Sequence, residues 1–137
     1  THFGAFMAPG GRKSEKPGYY VHVDPWESLV AGGSYCPKPP DLLKTRQRIA
    51  ENTADFFSII RNAEFKKAFG DVSPFEEKLV NVPKGFAKDH EAAEYLKYKS
   101  YIASRKIKES DFSKVDFLVE QFELMKPLNL FLRQSVR

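Results

Sequence analysis

A chain of 137 residues with 42% hydrophobic and 14% aromatic side chains can bury a core, which excludes an intrinsically disordered tail. No run approaches the roughly 18–20 apolar residues of a membrane span, mean hydropathy is −0.48, and a single cysteine, Cys36, excludes a disulfide framework or a multi-cysteine zinc site. The net charge of +4 is concentrated in residues 84–108, where Lys84, Lys88, Lys97, Lys99, Arg105, Lys106 and Lys108 face Asp89, Glu91 and Glu94, while the flanking regions cancel.

His2 to Ala8 is rich in Phe, Met and Ala and stops at the turn signal Pro9-Gly10-Gly11; Arg12 to Lys16 reads as a polar loop tip. After Pro17-Gly18 the chain alternates, with Tyr19, Val21 and Val23 on one side and Tyr20, His22 and Asp24 on the other. That is the period of a half-buried strand. Pro25-Trp26-Glu27 turns the chain, and Ser28 to Tyr35 predicts a third strand. The Gly32-Gly33 pair within it marks a bulge or a place where something approaches the backbone closely. Three such runs joined by short polar links predict an antiparallel meander.

Pro37, Pro39 and Pro40 punctuate the chain, and from Asp41 the period changes. Leu42, Ile49 and Phe56, with Leu43, Ala50, Phe57 and Ile60, form an apolar stripe opposite Lys44, Arg48, Glu51 and Asp55, predicting one long amphipathic helix to about Arg61. Asp41 stands near its positive end, as cap or dipole partner. Glu64 to Phe69 predicts a shorter helix with Gly70 at its C-cap. Lys78 to Val82 reads as a short strand, Asp89 as the cap of a brief helix through Leu96, and Tyr98 to Ile107 as a further strand. Ser113-Lys114-Val115-Asp116 has the form of a capping box opening a terminal helix. Its buried stripe would be Val115, Leu118, Val119, Phe122 and Met125, with Pro127 kinking or interrupting it before a final turn or two to Arg137. The fold class expected is α+β: one domain over residues 1–137, an antiparallel sheet packed against a long amphipathic helix and a C-terminal helix.

Pro9-Gly10-Gly11-Arg12-Lys13-Ser14 has the flavour of a phosphate-binding loop but lacks the first glycine and the Gly-Lys pair, so a hairpin tip is the reading. His22 shares a strand face with Tyr20 and Asp24; lining a cleft, these would support general acid–base work, and facing solvent they would be a polar stripe. His90 follows Asp89 into a short helix, where Asp89 is a cap rather than a catalyst. His2, His22 and His90 lack short ligand spacing, so neither a metal nor a cofactor is expected. Arg46 falls on the stripe that should face the core, where it either snorkels or pairs with a buried carboxylate, or else grips a carboxylate or phosphate in a pocket. Cys36 has no partner histidine and reads as a plain small residue.

The order Gly4-Ala5-Phe6, Pro17-Gly18-Tyr19-Tyr20-Val21-His22, Gly32-Gly33-Ser34-Tyr35 with Pro37, the Arg46 helix, Pro83-Lys84-Gly85-Phe86 with Asp89-His90, and Leu96-Lys97-Tyr98-Lys99-Ser100 resembles the bacterial Domain of Unknown Function 2461 family across nearly the whole chain. The family's R-x-x-R-D-x-R-F and K-x-x-Y pattern would lie upstream of Thr1 and is absent. The resemblance therefore implies the C-terminal two-thirds of a longer protein, with an exposed edge or an open core face where a helix and a strand are missing. It brings forward Tyr20, His22, Arg46, Lys84, Asp89, His90 and Lys99 without assigning any of them a role.

The function expected is that of a cytoplasmic protein that binds or acts on a small anionic ligand, with Tyr20 and His22 lining the pocket and Arg46, Lys84 and Lys99 supplying charge. The alternative is a non-catalytic protein-interaction module. Nucleic-acid binding through residues 84–108 is third, since no basic–aromatic pattern of a known nucleic-acid module is present. A solvated, Lys-rich sheet edge that discourages aggregation is the plainer account of the same charges.

Overall fold

Four antiparallel strands in the order β1-β2-β3-β4 form the sheet of the computed structural model, which describes residues 3–7, 16–24 and 26–134. The strands are β1 (Phe3–Met7), β2 (Gly18–Val23), β3 (Ser28–Ser34) and β4 (Tyr101–Ile107). The expected meander is present, and β4 extends it at the β3 edge. The loop tip at Arg12, the Pro9–Ser14 motif, His2 and the last three residues lie outside the described residues.

The alternation read from the sequence sets the two faces of the sheet. Tyr19 packs edge-on against Phe122, at 5.3 Å between ring centroids. Val30 is fully buried, and Arg105 reaches Gln121, so odd positions of β2 and β4 and even positions of β3 turn toward the C-terminal helix. That helix, α5 (Val115–Arg133), crosses β3 so closely that a Cβ on Gly32 would come within 2.8 Å of Met125 Sδ. The glycine pair thus marks close approach rather than a bulge.

The long helix expected over Asp41 to Arg61 is two helices, α1 (Pro39–Glu51) and α2 (Thr53–Ile60). They part at Asn52, which leaves helical geometry (φ −128°, ψ 45°) while its Nδ2 donates to the Arg48 carbonyl at 3.0 Å. Thr53 Oγ1 donates back to Ile49 and Ala50, at 2.8 and 3.1 Å, completing a polar hinge. Asp41 sits in the first turn and makes no cap bond, so it serves the helix dipole alone. The short helix α3 (Ala63–Phe69) forms as expected, capped by Asn62 and stopped by Gly70 at φ 78°.

Several local expectations are corrected. Lys78 to Val82 makes no strand beyond an isolated bridge from Lys78 to Tyr98. Asp89 does not cap the brief helix α4 (Ala93–Leu96), which starts later, behind Ala92. The capping box at Ser113 is replaced by a 3-10 turn, Glu109–Ser113, and α5 begins without a side-chain cap; Asp111 Oδ2 instead accepts the Lys108 N–H at 3.1 Å. Pro127 neither interrupts α5 nor faces the core: it is exposed, as is Glu123, whose carbonyl loses its helical partner to solvent. The buried stripe of α5 runs through Gln121, Met125, Leu128, Asn129 and Leu132, whereas Val115 and Val119 point outward at 66% and 50% exposure.

An aromatic cluster fills the space between α2, α4, α5 and the start of β4. Phe56 contacts Phe57, Tyr95 and Phe131, and Tyr95, Tyr98 and Tyr101 follow in series, the first pair edge-on and the second tilted. Burial pushes the Tyr101 and Tyr95 phenols well up from the ordinary value of 10.0, with the Asp71 carboxylate adding to the rise at Tyr95. The folded chain therefore holds these protons more tightly than the unfolded chain does. Their stabilising contribution is complete below pH 10 and is lost as pH climbs through the raised values. Thermal melts should show stability falling steeply above pH 10, with a shallower fall in Tyr95→Phe; a flat profile to pH 11.5 would contradict this.

Candidate functional site

The face of the sheet turned away from α5 carries the expected polar row. Tyr20 OH lies 3.0 Å from His22 Nδ1, with the two rings stacked at 6.0 Å, and His22 Nε2 lies 3.9 Å from Asp24 Oδ2. One proton arrangement has the phenol donating to Nδ1 and Nε2–H turned toward the carboxylate, which lies within ion-pair reach but beyond hydrogen-bond distance. Asp24 is fixed by its place in a turn. Its Oδ1 accepts the Trp26 N–H at 2.8 Å, while Ser28 Oγ donates to its carbonyl at 2.9 Å. About a quarter of the His22 and Asp24 side chains is exposed, so the row is open to solvent yet held in place.

Strand register adds a second side to this row. Tyr20 stands opposite Ala31, and Ala31 opposite Ser104; His22 stands opposite Leu29, and Leu29 opposite Lys106. The four polar side chains therefore mark the corners of a saddle whose floor is Leu29 and Ala31. Its width is two strand spacings, about 10 Å, and its length two residues, about 7 Å. On the outer side Gly4 pairs with His22 and brings no side chain against the imidazole. Lys106 is largely exposed and meets Glu27 at 3.2 Å. A protonated His22 and Lys106 would face one another across a floor able to seat a small anion.

The other residues expected at the site are placed elsewhere. Arg46 neither pairs with a buried carboxylate nor lines a pocket with Tyr20 and His22. Its Nη2 donates to the Tyr98 carbonyl at 2.8 Å, and its charge bears on Tyr101, a residue of the α5 side of the sheet. His90 is a structural tie: Nδ1 accepts the Ala92 N–H at 2.9 Å, which leaves Nε2–H to donate to the Ala50 carbonyl at 3.2 Å. His90→Ala should cost about 1–3 kcal/mol in a urea melt, because it removes both bonds at a half-buried position. A loss under about 0.5 kcal/mol would contradict the tie. Lys84 and Asp89 are exposed on the loop before α4, and Lys99 meets Glu77 at 3.6 Å.

The basic excess is likewise divided among local partners, with Lys97 on Glu94 at 2.7 Å, Lys99 on Glu77 and Lys106 on Glu27. Cys36 is exposed, with a positive φ of 43°, and its Sγ accepts from Ser100 Oγ at 3.6 Å. Tyr35 beside it donates to Glu76 Oε1 at 2.7 Å, and that carboxylate pushes the phenol up to about 12. Among the described residues no three His, Cys, Asp or Glu side chains converge where a metal ion could sit. No helix of the described chain is long and apolar enough to cross a membrane.

Ser104 and Lys106 were the site residues sequence reasoning missed. The alternation of residues 98–107 places them on one side of a strand, but which strand lies beside β2 or β3 depends on register, and only the fold supplies that. A family model described as conserved hypothetical protein (DUF2461) matches residues 1–131. No curated protein and no solved structure matches the chain.

Proposed function

The chain belongs to the family of conserved hypothetical proteins DUF2461, and from that premise we propose that it is a cytoplasmic domain that binds, or acts on, a small carboxylate- or phosphate-bearing ligand on the open face of its sheet. The observation that supports this is the saddle: Tyr20 and His22 on one side, Ser104 and Lys106 on the other, over Leu29 and Ala31. Lys106 supplies a fixed positive charge, Ser104 a hydroxyl, and His22 either a second charge or a proton, with Tyr20 holding the ring. The carboxylate of Asp24 behind His22 makes the imidazole the group suited to moving a proton. Dispersal of the lysines into separate ion pairs favours a compact anion over the extended phosphate backbone of a nucleic acid.

Calorimetric titration with inorganic phosphate, and separately with acetate, tests the reading. Binding in the millimolar range is expected, weakened about five- to tenfold by His22→Ala or Lys106→Ala, the cost of one charge-assisted contact. Arg46→Ala should leave the binding unchanged. Phosphate and acetate binding that is indifferent to His22 and Lys106 would refute the site.

A further inference from the structure

Among the described residues, the outer edge of β4 is paired only near its start. Ser73 pairs with Ile102 through two backbone bonds, N to O at 2.7 and 2.9 Å, while the bond from Leu79 N–H to the Lys97 carbonyl, at 2.8 Å, lies ahead of the strand. Since the N–H and C=O of Ile102 point outward, those of Ser104 and Lys106 do so as well, two and four residues further along. Neither finds a partner among the described residues. Beside this open half runs a groove of about 380 Å³ lined by Arg105, Lys106, Ile107, Lys108, Asp111 and Phe117.

The two sides of that edge differ in chemistry. On the α5 side stand Ile107 and Phe117, with Arg105 held over the Phe117 ring at 5.4 Å and donating to Gln121 Oε1 at 2.9 Å. On the other side follow Lys106 and Lys108. Asp111, the one acid among the described residues lining the groove, is already engaged by the Lys108 N–H and by Lys114 Nζ at 3.4 Å. A strand laid along the edge would present alternate side chains to the two sides, one row to an apolar wall and the other to ammonium groups. A second copy of this edge would bring lysine against lysine.

We infer that the open half of β4 is a docking edge for an extended acidic segment of a protein partner, added as a further strand, with its apolar residues toward Ile107 and Phe117 and its carboxylates toward Lys106 and Lys108. This surface is distinct from the floor of the saddle but shares with it Ser104, through its backbone, and Lys106, and both therefore stay unaltered in the test. The probe is a fluorescent heptapeptide alternating Glu and Val, followed by polarisation against the full chain. Binding is expected to weaken about tenfold with added salt and several-fold with Lys108→Ala. N-methylation of alternate peptide residues in one phase should abolish it, and in the other phase should leave it intact, because only one set of amides faces β4. Absence of binding, equal loss in both methylation phases, equal binding of an alternating Lys–Val peptide, or dimerisation of the chain that the Glu–Val peptide does not reverse would each overturn the inference.

Discussion

Replacing Phe56 by alanine should destabilise the chain by about 3–5 kcal/mol, a large share of the roughly 5–15 kcal/mol that holds a domain of this size together. Phe56 is fully buried, and its ring meets Tyr95 at 5.3 Å, Phe131 at 5.6 Å and Phe57 at 6.1 Å. It thus joins α2, α4 and α5 at one point. Truncation removes the apolar transfer energy and leaves a hole lined by rings that cannot all collapse into it. Urea melts should record the loss, with Leu43→Ala, on the exposed side of α1, changing stability by less than about 1 kcal/mol. A Phe56→Ala loss below about 1.5 kcal/mol would mean that the three helices do not meet there.

Gly33→Ala should be nearly as damaging, at about 3 kcal/mol or more, for a different reason. Gly33 has φ 121°, a conformation L side chains rarely adopt, and a Cβ there would overlap the Tyr101 carbonyl across the β3–β4 pairing. Relief requires β4 to move away from β3, which would also open the saddle that depends on Ala31 facing Ser104. At the neighbouring Gly32 a Cβ would press at 2.8 Å on the flexible thioether of Met125 and otherwise meet the Gly18 carbonyl and Met125 Cβ at an ordinary 3.4 Å, so Gly32→Ala should cost about 1–2 kcal/mol. Equal stability of the two variants would contradict the backbone argument. So would a Gly33→Ala melt indistinguishable from the parent's.

The α+β class and the Tyr20–His22–Asp24 row were legible because a strand with one buried face writes its alternation directly into the sequence. The two glycines of β3 were legible as either a bulge or a close approach, and only the fold, which sets α5 against Gly32 and Tyr101 against Gly33, decides for the second. The break at Asn52 was hidden because the apolar stripe continues in phase through it; the hinge lies in the polar bonds of Asn52 and Thr53, which leave no periodic trace. The α5 stripe was misjudged because Gln121 and Asn129 are polar yet buried. Asn129 Nδ2 donates to the Gly18 carbonyl at 2.9 Å, and Gln121 accepts from Arg105. Arg46 shows the same limit: its position on an apolar stripe was readable, but its partner, the carbonyl of Tyr98, lies 52 residues away. The half of the saddle made by Ser104 and Lys106 needed the pairing of β3 with β4, a non-local fact.

The most direct test of the saddle is a heteronuclear NMR titration of the chain with inorganic phosphate at constant pH and ionic strength. Saturable shifts are expected at Tyr20, His22, Leu29, Ala31, Ser104 and Lys106, with Arg46 and His90 unmoved. Shifts centred on Arg46, Lys84, His90 or Lys99, or no saturable shift on the open face of the sheet, would contradict it.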